Sequence, residues 1–149
     1  MSKKTAIIAV LAVIVLLPVV ALVERQHTLR QIIITAPNGA VLSAEVVSGI
    51  GDRMRGLSNR EYLSYNEAML FVFPDVGMHG IWMKDMRFPI DIIWLDEQQM
   101  VITIESNVSP DSYPKVFNPV TPAKYVVEVN AGWAMQNEVE IKTKLNFKL

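Results

Sequence analysis

GIWMKDMRFPIDIIWLDEQQMVITIES, residues 80–106, decides the fold class. GIWM (80–83) and PIDIIWLD (89–96) are short apolar runs rich in β-branched and aromatic residues, linked by MKDMRF. EQQ (97–99) makes a polar turn into MVITIES (100–106), an alternating run. Runs of this length and composition, bounded by turn residues, read as strands.

The pattern repeats on both sides. RQIIIT and AVLSAEVVS flank Asn38-Gly39, a β-hairpin over 30–48 whose return strand places Leu42, Ala44 and Val46 on one face. GDRMRGLSNREYL (51–63) is polar with scattered apolar positions and reads as a short helix at a sheet edge. AMLFVF (68–73), wholly apolar and ended by Pro74, fits a strand buried on both faces. Downstream, YVVEVN (125–130) and EVEIKTKLNF (138–147) alternate again, with one helical turn predicted over AGWAMQ (131–136). Between them VSPDSYPKVFNPVTPAK (108–124) carries four prolines, which exclude a regular ladder or helix and predict a long loop. Seven or eight short strands without βαβ alternation predict a mainly β domain: an antiparallel β-sandwich or jelly-roll-like barrel with one or two short helices.

Ahead of this domain, AIIAVLAVIVLLPVVALV (6–23) is unbroken and apolar behind Lys3 and Lys4. Eighteen helical residues span about 27 Å, near the thickness of a bilayer's hydrocarbon core. The preceding positive charges predict a single-pass signal anchor over 1–24, N-terminus cytoplasmic, with residues 25–149 extracytoplasmic. The alternative is secretion after signal cleavage near Ala21. Both place the β domain outside the cytoplasm.

Of 14 Lys and Arg residues two are Lys3 and Lys4, so the chain beyond the apolar run sets 12 against 15 Asp and Glu, a charge near −3. Nucleic acid is therefore not an expected partner, and no polybasic cluster favours a membrane surface. With no cysteine there is no disulfide framework, thiol chemistry or Cys-ligated zinc.

RMRGLSNR (53–60), AMLFVF (68–73), IWMKDMRFPIDIIWLD (81–96) and YVVEVNAGWA (125–134) together resemble the domain-of-unknown-function family DUF192. The resemblance spans about residues 40–147. It implies a small β-rich domain, often secreted or membrane-anchored, and no established activity, cofactor or catalytic residue. Ser58 stands where that family usually has methionine, Met86 where it often has threonine, and EVEIKT (138–143) replaces its C-terminal glycine pattern.

Three constellations carry candidate chemistry. The first is a polar cluster, Arg55, Arg60, Lys84, Asp91 and Glu128. Asp91 and Glu128 lie within apolar strands, where an unpaired carboxylate is costly, so the arginines are their expected partners. The structural reading is a salt-bridge network pinning 51–60 to the sheet. The enzymatic one makes Asp91 and Glu128 a carboxylate pair acting on an envelope glycan. The second is Met78, His79, Trp82, Met83 and Met86, whose soft donors suit Cu(I) or Ag(I), with His79 and Met83 sharing strand parity. Core packing of the methionines is the plainer alternative. A calcium site from Asp85, Asp91 and Asp96 follows no calcium-loop pattern. The third is the proline-rich loop, where Tyr113 and Phe117 can form a docking surface for a protein or glycan partner, or fold over the core. No catalytic residue and no cofactor is assigned. The preferred expectation is a binding or assembly module rather than an enzyme, with soft-metal binding and glycan chemistry as alternatives.

Overall fold

The computed structural model describes residues 29–149. The expected anchor over 6–23 and the cleavage point near Ala21 lie outside them. Among the described residues no helix is long and apolar enough to cross a membrane.

Eight strands and two short helices follow in order: β1 (Arg30–Thr35), β2 (Val41–Val47), α1 (Ile50–Arg55), β3 (Glu67–Gly77), β4 (Ile81–Trp82), β5 (Ile90–Leu95), β6 (Val101–Val108), β7 (Val116–Phe117), β8 (Ala123–Asn130) and α2 (Trp133–Gln136). Six strands form one sheet in the order β1-β2-β3-β8-β5-β6, and β4 pairs with β7 as a separate ribbon. Mainly β is what the sequence predicts; the antiparallel sandwich or closed barrel is corrected. The sheet is open and mixed, because β2 and β3 run parallel, Ala44 opposite Ala68. A parallel pair needs a long crossover, and residues 48–66, with α1 inside them, supply it.

The hairpin forms as expected, with Ile32 opposite Ala44, and Gly39 adopts the positive φ (88°) that its turn demands. Strand β5 lies between β8 and β6 and is buried at all six positions. Its apolar run reflects burial on both faces. One face packs Ile34, Leu42, Leu70, Ile93, Val127 and Trp133 into one cluster. The other packs Met69, Phe71, Ile92, Trp94, Val126 and Met83 into a second, roofed by the α1 turn and by the β4–β7 ribbon through Leu57, Ile81 and Phe117.

Two expectations for single segments are revised. The proline-rich stretch is not wholly irregular: Pro110–Ser112 forms a 3-10 turn and Val116–Phe117 pairs with β4. The 138–147 segment is no strand. It makes two isolated bridges, Asn146 to Thr35 and Lys144 to Met100, and so touches both outer strands' ends. Leu145 and Phe147 are its buried anchors.

Candidate functional site

Strand parity settles the two buried carboxylates. In the β5–β8 ladder Asp91 stands opposite Val129 and Ile92 opposite Glu128. Val129 belongs to the first cluster and Ile92 to the second, so Asp91 and Glu128 project from opposite faces. They share no cleft, and the carboxylate-pair expectation falls.

Asp91 is fully saturated. Its Oδ1 accepts from the backbone N–H groups of Asn107 (2.8 Å) and Gly132 (3.0 Å), and its Oδ2 from Ala134 (3.0 Å). It ties the start of α2 and the irregular, positive-φ position Asn107 of β6 to strand β5. The expected pairing with an arginine is absent, because three backbone donors already occupy the carboxylate.

The arginines have other partners. Arg60 grips Glu45 through two bonds of 3.0 and 2.5 Å, and Arg55 contacts Asp52 at 3.2 Å on its own helix. Glu45 on β2 is only partly buried, so pairing there costs less desolvation than pairing with the buried Asp91 or Glu128. Lys84 sits in an exposed turn with Nζ 5.9 Å from the Trp82 ring. Its backbone carbonyl accepts from Ser58 Oγ (2.8 Å), and the next, Asp85, from Asn59 N (2.8 Å). These bonds fasten the end of the α1 turn to the segment after β4.

Glu128 is different. It is 5% exposed, and its Oε2 has no hydrogen-bond partner among the described residues. Burial pushes the carboxyl up to about 8, against a weaker downward pull from the charge of Arg60. At neutral pH it is mainly the uncharged acid, which a buried site favours.

Glu128 lines a cavity of about 50 Å³ enclosed by Arg53, Met54, Arg55, Gly56, Leu57, Ser58, Phe71, Gly80, Ile81, Trp82 and Met86. An outer groove of about 220 Å³ shares Arg53, Met54, Phe71, Gly80, Ile81 and Trp82, and adds Ile50 and Phe73. The two form one cleft between α1 and β4. Gly56 keeps it open on one side, since a Cβ there would come 3.2 Å from Phe71 Cζ. Gly80 lets the β4–β7 ribbon close on the other, where a Cβ would meet Val116 Cγ1 at 2.5 Å. Arg53 is held in place by donating to the carbonyls of Ser48 and Val72, with its guanidinium 5.2 Å from the Phe73 ring centre.

The other constellations resolve as follows. His79 stacks on Phe73 (3.7 Å between centroids, 5° between planes), and its Nε2 lies 2.8 Å from the Asp75 carbonyl. Met83 is buried in the second cluster, and Met78 is exposed. Among the described residues no group of three or more His, Cys, Asp or Glu side chains is placed to hold a metal ion, Asp85, Asp91 and Asp96 included. In the proline-rich segment the two aromatics part company. Phe117 is buried against the sheet, whereas Tyr113 is half-exposed and meets Trp82 edge-on at 6.2 Å, beside the cleft. The sequence reading singles out Glu128 and Trp82 but not Arg53, Phe71 or Gly80.

Comparison with known proteins agrees with this architecture. No curated protein matches the chain. A solved structure from Sinorhizobium meliloti 1021, a suggested transcription regulator, superposes with a TM-score of 0.72 at 25% identity over 78% of this chain and 92% of its own. One from Novosphingobium aromaticivorans DSM 12444, of unknown function, gives 0.74 at 24% identity over 83% and 89%. The family model for DUF192, described as "Uncharacterized ACR", matches residues 33–147. The chain belongs to the DUF192 family.

Proposed function

We propose that this chain is a membrane-tethered, extracytoplasmic binding module whose ligand enters the cleft between α1 and β4. The observation that carries the reading is Glu128: a carboxyl without a partner for Oε2, buried at an aromatic-lined cavity. Buried polar groups are almost always satisfied, and an exception calls for a specific reason. A ligand that completes its hydrogen bonding is such a reason, and here charged and polar groups stand beside the aromatic walls Phe71 and Trp82 to orient one. Tethering rests on the 6–23 run and the lysines before it. A binding role is preferred to catalysis because the two buried carboxylates face apart, leaving no acid–base pair.

The test uses the purified full chain in phosphatidylcholine nanodiscs, titrated with benzyl alcohol as a neutral aromatic probe. Trp94 and Trp133 are fully buried, so Trp82 is the tryptophan whose emission a cleft ligand changes. Saturable quenching that is lost in Trp82→Phe and accompanied by shifted amide signals at Phe71 and Gly80 supports the cleft. Unchanged amide signals across those residues would overturn it. Resistance of the protein in native membranes to alkaline extraction tests the tether.

A further inference from the structure

Resting on that reading, we infer that the cleft selects a small organic anion, a carboxylate on a compact apolar body, over a cation or a neutral sugar. The charges around the cleft carry the argument. Its charged lining residues are Arg53, Arg55 and Glu128. Arg53 lines both the inner cavity and the outer groove. Lys84 stands beside Trp82 at the rim, and Arg60, paired with Glu45, is near enough for its charge to act on Glu128. The guanidiniums stay charged at every accessible pH.

An aromatic cage for a cation would need free ring faces and a net negative lining. Here the protein's own cations already sit over the rings: Lys84 over Trp82 and Arg53 over Phe73. A second cation would add like charge to both. An anion meets the opposite situation. Its oxygens can accept from Arg53 or Arg55 and from the acid proton of Glu128, which as a neutral group does not repel it. Its hydrocarbon part lies against Phe71, Ile81 and Trp82. The inner cavity is small enough to suit a carboxylate, and the outer groove holds a ring or short chain.

The experiment compares three probes built on one ring: benzoate, benzyl alcohol and the permanent cation benzyltrimethylammonium, each titrated into the full chain in nanodiscs at pH 6.5 and pH 9. Benzoate is expected to bind at least about tenfold more tightly than benzyl alcohol at pH 6.5. Its affinity should then drop roughly tenfold at pH 9, as ionised Glu128 withdraws the competent state. Because His79 stacks on the Phe73 wall, Glu128→Gln assigns the pH effect: this variant should keep benzoate binding and lose its pH dependence. Arg55→Gln and Arg53→Gln should weaken benzoate selectively, and Arg55, exposed on α1, is the variant that leaves the fold undisturbed. Benzyl alcohol binding as well as benzoate, or the cation binding better, would overturn the anion assignment while leaving the cleft in place. Binding of none of the three would overturn both readings.

Discussion

Asp91 and Glu128 stand one register step apart on the adjacent inner strands β5 and β8 and point to opposite faces of the sheet, one met by three backbone N–H groups, the other without a partner for Oε2 among the described residues. Neighbouring carboxylates thus have opposite roles. Asp91 organises the chain, whereas Glu128 keeps an unpartnered oxygen at the cleft, the feature on which the proposed ligand site rests.

Asp91→Ala should be the more damaging substitution. It strands the buried N–H of Ala134, where an unsatisfied donor costs about 1–3 kcal/mol, and removes the acceptor from the partly exposed N–H groups of Asn107 and Gly132. Urea unfolding should show a loss of about 1–3 kcal/mol. A loss under about 1 kcal/mol would mean that water replaces the carboxylate without penalty.

Glu128 should make stability fall as pH rises. Its folded-state value near 8 exceeds the ordinary 4.5, so between those limits the folded protein binds more protons than the unfolded chain. Its contribution is fully present below about 4.5 and declines through about 8, by up to roughly 1.4 kcal/mol per pH unit. Urea midpoints across this window should slope downward, and Glu128→Gln should flatten the slope and exceed the parent in stability at pH 9. A parent and variant with parallel profiles would refute the assignment.

Arg60→Ala should cost little in stability, about 0.2–1 kcal/mol, because its ion pair with Glu45 is partly exposed and screened. It should instead move Glu128 further from its ordinary value, since the removed charge is the one that pulls the carboxyl down. Carbon-detected titration of the Glu128 carboxyl should show a higher midpoint. An unchanged or lower midpoint would show that Arg60 does not act on Glu128.

Gly80→Ala should disturb the ribbon and the cleft together. The added methyl would lie 2.5 Å from Val116 Cγ1 and 2.8 Å from Asn118 Oδ1, and Val116, β-branched, has little rotamer freedom to retreat. Overpacking of this kind costs about 1–3 kcal/mol. Thermal unfolding should register it, with lost cross-peaks between Ile81 and Phe117. Retention of those cross-peaks at parental stability would show that the ribbon yields elsewhere.

Much of the fold was legible because its signals are local. AMLFVF is apolar on both parities since both faces of β3 are covered, and Val126 and Glu128 share a face as their spacing requires. The parallel β2–β3 pairing was not legible: an alternating strand looks alike in either direction, and only the crossover through α1 sets its sense. EVEIKTKLNF alternates as a strand would, yet forms isolated bridges, because its neighbours are the ends of two different strands. For the site, the sequence marks Glu128 as an oddity among valines. It cannot reveal that Glu45 claims Arg60, since that pairing joins residues 15 apart through the register of β2. Gly80 was equally silent, its role fixed by a contact with Val116 across the ribbon.

The C-terminal segment that bridges Thr35 through Asn146 and Met100 through Lys144 works as a strap between the two margins of an open sheet. Unpaired margins invite strand addition from neighbouring molecules, a hazard that grows with local concentration. Because a single short segment bridges both margins, at the end of β1 and the start of β6, a protease that clipped it near Lys142 would release the two bridges together. Susceptibility to polymerisation would then be decided by the last eight residues rather than by the core.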